Sequence, residues 1–179
     1  MAVSQPYTGA EDKAPRCVVA GQHSAELGDR EVVVFLIGMR VNRWRKVRSW
    51  WPAFVGMPRM LRELAAQDDS PLLAVRSYWS GRVFFTVQYW RSLEELGAYA
   101  RDSSRLHAPA WGAFNRSAAG TADVGLFHET YHVRSDQVES LYGNMPPFGL
   151  AAATSLVPRA KRPARAAARR MGQRDPQHA

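Results

Sequence analysis

The chain has 179 residues, of which 46% are apolar and 22% charged, and it carries one cysteine and a net charge of +8. That balance fits a globular domain with its own core. It excludes a disulfide framework or a thiolate metal site, because Cys17 stands alone, and no apolar run approaches the ~18–20 residues that span a bilayer.

The charge is concentrated at one end. Residues 158–179 hold seven basic residues and one acid, a net +6, which leaves +2 for residues 1–157. This Pro/Ala/Arg-rich stretch reads as a disordered basic tail. Without interleaved aromatics it would touch nucleic acid only weakly, if at all.

In chain order, residues 1–30 are Gly-, Pro- and polar-rich and read as a flexible leader. They lack the apolar segment of a secretory signal, so a cytoplasmic protein with no membrane partner is expected. Glu31–Val41, EVVVFLIGMRV, puts Val33, Phe35, Ile37 and Met39 on one side and Val32, Val34 and Leu36 on the other. It predicts a strand buried on both faces. Asn42 is the expected N-cap of the next segment, RWRKVRSWWPAFVGMPRMLRELAAQ. There Trp44, Val47, Trp51, Phe54, Leu61 and Leu64 recur at helical spacing, while Pro52 and Pro58 are expected to kink or interrupt the helix. Arg40, Arg43, Arg45, Lys46 and Arg48 form a basic cluster. It reads as a solvated face, or as a contact for an anionic substrate or partner.

PLLAVRSYW and RVFFTVQYW, joined at Ser80-Gly81, predict a β-hairpin. Ser92 and Glu95 form a capping box opening a helix over SLEELGAYARD, which accounts for the Glu94-Glu95 pair without a catalytic role. A second helical piece begins near His107-Ala-Pro109 and ends at Gly120. TADVGLFHETYHV alternates as a strand, and SDQVESLYGNMPPFGL closes the ordered region near residue 157. The Gly and Pro-Pro of 142–147 make a stiff, extended segment, readable as a lid or as an arm clasping a partner.

The resulting order over 31–157 is β-α-β-β-α-β, an α+β ferredoxin-like unit with helices on one face of an antiparallel sheet. The doubly apolar first strand then calls for a cover on the other face. A second copy of the chain, sheet against sheet, supplies one and makes the expected domain half of a homodimer.

His128-Glu129-Thr130-Tyr131-His132 matches H-E-x-x-H, which binds zinc when helical because residues four apart share a face. Here the alternation is that of a strand, and residues four apart on a strand stand ~13 Å from each other. Zinc holds its nitrogens at about 2.0–2.1 Å, so no metal site is expected there. His128, mid-strand among apolar neighbours, instead reads as a buried imidazole, structural or catalytic. His107, Trp111 and Asn115 recur at i, i+4 and i+8 with Phe114 beside them. Two histidines and an amide converging on an aromatic-lined space describe a ligand cavity.

The blocks VVVFLIGMRVN, GMPRMLREL, VQYWRSLEELGAYARD, LHAPAWGAFNR, DVGLFHETY and YGNMPPFGL, colinear from Glu31 to Val157, resemble a bacterial and fungal monooxygenase-like family of unknown function. That family is related to the fungal fumagillin-pathway oxygenase. The resemblance implies the dimeric α+β barrel superfamily, together with antibiotic-biosynthesis monooxygenases. It brings no catalytic residue list, and fold alone does not fix chemistry.

Three functions remain open. The first is a monooxygenase acting on a small hydrophobic substrate between sheet and helices, without metal, flavin or other cofactor. His128, and secondarily His107, would be the catalytic base. Trp111, Phe114 and Phe35 would be the walls and Asn115 or Tyr131 the oxyanion donor. The second is a haem-binding enzyme or carrier with His128 or His107 as axial ligand and Arg40 or Arg43 on a propionate. The third is a non-enzymatic dimeric ligand binder. Gly-rich nucleotide loops and a G-x-S-x-G motif are absent from the sequence.

Overall fold

The computed structural model describes residues 13–102, 112, 114 and 120–159. Nearly all of the expected second helical piece lies outside them, His107, Trp111 and Asn115 included, as does the tail beyond residue 159. The chain divides into two compact units, Met1–Glu31 with Val133–Ala179, and Val32–His132.

The second unit carries the β-α-β-β-α-β order. Its strands β2 (Glu31–Val41), β3 (Leu72–Ser80), β4 (Val83–Trp90) and β5 (Val124–Arg134) form one sheet in the order β3-β4-β2-β5. This is the ferredoxin-like arrangement expected from the sequence. Between them run helices α1 (Val47–Ala65) and α2 (Leu93–Arg101). Strand β4 pairs antiparallel with both β2 and β3. The register sets Phe35 opposite Gln88, Ile37 opposite Thr86 and Met39 opposite Phe84.

The strand period of two sends Val33, Phe35, Ile37, Met39 and Val41 to the helix side. There Val33, Leu64, Trp90 and Leu96 make one core cluster, and Met39, Val41, Phe114 and Val124 make another. Each fully buried side chain of this size stabilises the fold by about 1.5–3 kcal/mol relative to its exposed state.

The hairpin forms one residue later than expected. Ser80 pairs with Val83, so Gly81 and Arg82 make the turn. Gly81 has φ +56° and Arg82 does not share the positive φ, the pattern of a II′ turn with glycine first. The Ser92 cap is present: its hydroxyl accepts from the Glu95 amide at 3.1 Å.

Helix α1 departs from expectation in three ways. It runs unbroken through Pro52 and Pro58, although neither can donate the usual backbone bond. It starts at Val47, not after Asn42, and its N-cap Lys46 makes no side-chain capping bond. Asn42 instead donates to the Ala122 carbonyl at 2.9 Å. The helix start is held by Asp123, whose carboxylate accepts from Ser49 Oγ and from Arg43 Nη1, each at 2.9 Å. Those donors, Ser49 first, hold the Asp123 carboxyl below its ordinary pKa. Third, the stripe meeting the sheet includes Trp50 and Ala53, while Val47 and Trp51, assigned to the apolar face by spacing, are about half exposed.

The first unit contains a strand in what reads as leader sequence. Strand β1 (Val19–Glu26) pairs antiparallel with β6 (Tyr142–Met145) and with β7 (Ser155–Pro158). A one-turn helix α3 (Leu150–Ala153) lies between the last two in sequence. The 142–145 stretch is thus a sheet strand pairing within its own chain. It is pinned where Asn144, at φ +49°, accepts from the Gly21 amide at 2.8 Å.

Candidate active site between helices and sheet

Two adjoining cavities occupy the space between α1, α2 and the sheet. One, of about 280 Å³, lies under the middle of α1 and is walled by Met39, Phe54, Met57, Phe84, Phe114 and Leu126. The other, of about 320 Å³, lies toward α2, walled by Phe35, Leu61, Trp90, Leu96, Tyr99 and His128. Ile37, Met57 and Met60 line both. The flexible thioethers of Met57 and Met60 suit a boundary that must adapt to a guest. Together the cavities are of the size and apolarity of small-molecule sites.

The walls follow from the strand period, which points every second residue of β2, β4 and β5 at the helices. Phe35, on β2, lines the second cavity, and Phe114, a helical residue, lines the first. The polar groups in this space come mainly from β4. Trp90 Nε1 donates to Gln88 Oε1 at 2.9 Å, and Gln88 Nε2 donates to Thr86 Oγ1 at 3.0 Å. Gln88 Nε2 also lies 3.8 Å from Met57 Sδ. Both Thr86 and Gln88 are buried. The indole N–H can only donate, so it fixes the amide with its oxygen toward Trp90 and its NH₂ toward Thr86 and Met57.

Sequence reasoning missed this trio because T-V-Q-Y-W reads as an ordinary strand. The available signal was two polar side chains at i and i+2 on a face whose other members are apolar.

His128 lines the second cavity, and its ring centroid lies 5.9 Å from that of Phe35. It is not the buried imidazole the sequence implied. Strand β5 is an edge strand of its sheet, so this ring stands at the rim, exposed in the single chain. The H-E-x-x-H stretch lies on β5, as its alternation predicts.

Two other expected site residues are not brought into the cavity. Tyr131, an odd number of positions from His128 on the same strand, points to the opposite face. There its hydroxyl donates to Glu129 Oε2 at 2.6 Å, and this acceptor raises the phenol's pKa. Arg40 alternates with the core residues Met39 and Val41, is exposed, and its guanidinium pairs with Asn42 Oδ1. Neither lines either cavity.

The opposite face of the sheet also carries rings. Tyr78 stacks on Phe85 at 5.2 Å and Phe85 meets Phe127 at 6.4 Å. Tyr78 and Phe127 are both exposed in the single chain.

Among known proteins, residues 32–150 match the family described as Monooxygenase af470-like. The chain is 29% identical over 138 residues to Monooxygenase af470 of Aspergillus fumigatus, covering 72% of this chain and 48% of that protein. The chain thus spans about half the length of the curated relative it matches. Among solved structures, it resembles SnoaB, a cofactor-independent oxygenase from Streptomyces nogalater, with 12% identity and a TM-score of 0.41 over 60% of this chain and 96% of that one. A conserved protein from Methanosarcina mazei Go1 matches at 9% identity and the same TM-score, over 56% of this chain and 91% of that one.

Proposed function

Because this chain belongs to the Monooxygenase af470-like family, we propose that it is an oxygenase whose hydrophobic, enolisable substrate occupies the cavities between helices and sheet and reacts with O₂ without a metal or flavin. The observation that carries this reading is an apolar cavity whose rim presents one imidazole and whose floor presents one oriented amide.

The chemistry such a site supports is limited and balanced. A methylene flanked by activating groups loses a proton to the His128 imidazole. The carbanion passes electrons to O₂, one oxygen atom remains on carbon as a carbonyl, and the other leaves as water with the two hydrogens. Substrate supplies all the electrons, so no external reductant is required. The second N–H of Gln88, resting against the weak acceptor Met57 Sδ, turns to the enolate oxygen and stabilises it where charge develops. Phe35 lies beside the His128 ring, with 5.9 Å between centroids. His107 and Asn115, the other polar residues of the sequence reading, enter this proposal only as further candidates.

The same reading includes a homodimer, in which a second copy covers Tyr78, Phe85 and Phe127 on the other side of the sheet.

The test is oxygen uptake by metal-stripped protein against polycyclic phenols and active-methylene ketones, with ¹⁸O₂ and mass spectrometry of the product. Wild type incorporates one ¹⁸O atom, and His128→Ala turns over about 10²–10⁴-fold more slowly. Equal rates in the two proteins contradict the role of His128. A requirement for added haem, read with its absorbance near the Soret band, contradicts the cofactor-free chemistry.

A further inference from the structure

At the hairpin end of the second unit, six aromatic rings form a continuous patch. Trp79 stacks on Phe84 at 5.3 Å, Phe84 meets Phe54 edge-on at 5.1 Å, and Phe54 stacks on Trp51 at 5.7 Å. Trp44 and Trp50 extend it, meeting at 5.6 Å. In a core these rings would be covered. Here Trp79 is 70% exposed and Trp51 50%, with Trp44 and Phe54 also exposed. The indole N–H groups of Trp79 and Trp50 donate to the carbonyls of Gly81 and Trp44. Those two rings therefore turn mainly hydrocarbon outward.

Basic side chains accompany the patch. Arg45, Lys46 and Arg48, interleaved in sequence with Trp44, Val47 and Trp50, are all exposed and have no ion-pair partner among the described residues. Their position at the start of α1, whose first turn has no acid, is one the helix dipole disfavours. Helix stability therefore does not explain them.

We propose that this face docks on an anionic lipid bilayer, with the tryptophans at headgroup depth and the Arg45, Lys46 and Arg48 side chains on the phosphates. Exposed apolar patches of this kind mark interaction sites. Indole rings beside Lys and Arg are what a membrane interface selects. Trp79 stacks on Phe84 and Trp51 on Phe54, which uses one face of each ring inside the patch and leaves fewer faces for stacked nucleic-acid bases. A two-fold contact with a second copy would set like charges against each other. No described helix is long and apolar enough to span a membrane; the contact proposed is that of a face laid on the bilayer surface.

Docking does not depend on the activity proposed above, but its consequence does. Phe54 and Phe84 belong both to the patch and to the wall of the first cavity, so a lipid-dissolved substrate would meet the cavity at the membrane surface.

The experiment is co-sedimentation of the full chain with vesicles of phosphatidylcholine alone and with one third phosphatidylglycerol, at low and high salt. A parallel measurement follows quenching of tryptophan by brominated lipid. Salt-sensitive binding to the anionic vesicles with quenching is expected. Binding should fall roughly a hundredfold in Arg45→Gln/Lys46→Gln/Arg48→Gln and should be lost with quenching in Trp51→Ser/Trp79→Ser, each variant checked by circular dichroism. Retention in both variants would assign the binding to the basic tail and overturn the proposal. So would an absence of binding, a change in sedimentation of the variants without lipid, or a preference for DNA lost in the same variants. Oxygen uptake is read separately, so failure of docking and failure of the activity remain distinguishable.

Discussion

The indole N–H of Trp90 donates to Gln88 Oε1 at 2.9 Å, two residues apart on one strand and inside the space between helices and sheet. Side chains at i and i+2 share a face, so a single strand builds an oriented amide without help from a distant element. Trp90 is only 1% exposed. Trp90→Phe keeps a ring in place but leaves the Gln88 oxygen without its donor. Urea unfolding should show a loss of about 1–3 kcal/mol. Gln88→Leu, which removes the partner, should make Trp90→Phe less costly in a double-mutant cycle. Strict additivity would contradict the coupling.

Gly38 is required by close approach on the opposite side of the sheet. A β-carbon there would lie 2.6 Å from the Phe84 carbonyl oxygen and 2.7 Å from Phe127 Cε1. Backbone cannot step aside as a flexible side-chain end can. Gly38→Ala should cost about 1–3 kcal/mol through overpacking, seen as a lower melting temperature.

Asp123 ties the start of α1 to the turn before β5. Hydrogen bonds from Ser49 and Arg43 favour its charged form and lower its pKa. A depressed folded pKa contributes stability that is present above the unfolded carboxylate value and lost as pH falls through the folded one. Asp123→Asn should therefore be less stable than wild type at neutral pH. The gap in unfolding free energy should close as pH drops below about 4. A gap that stays constant with pH would contradict this electrostatic account.

The proposed homodimer predicts that Phe127→Lys, placing a charge among Tyr78 and Phe85, gives a monomer by sedimentation velocity while far-ultraviolet circular dichroism is unchanged. An unchanged sedimentation coefficient would place the dimer contact elsewhere or remove it.

The fold of the second unit was legible in the sequence because its strands are long and strongly apolar and its turn and cap follow local rules, as at Gly81 and Ser92. Strand β1 was not. Val19–Glu26, VAGQHSAE, has few large apolar residues and takes its form from pairing with β6 and β7, more than 100 residues away. The exposed face of α1 was misread for a different reason. Seven of the eight residues from Trp44 to Trp51 are aromatic, basic or valine, so spacing alone cannot separate Trp50, which packs on the core, from Trp51, which does not. In the candidate site, strand alternation places Phe35 and His128 at the cavity and Tyr131 away from it. It cannot say that β5 lies at the sheet edge, which is what leaves His128 at the rim.

If substrate reacts in the space between helices and sheet, filling that space at Met57, which lines both cavities, stops the reaction. Oxygen uptake and ¹⁸O incorporation would be compared in wild type and in Met57→Trp, whose indole would fill that space while α1 stays helical by circular dichroism. Turnover is expected in wild type and none in the filled variant. Undiminished turnover in Met57→Trp, or no oxygen consumption by wild type across the whole substrate panel, would contradict it.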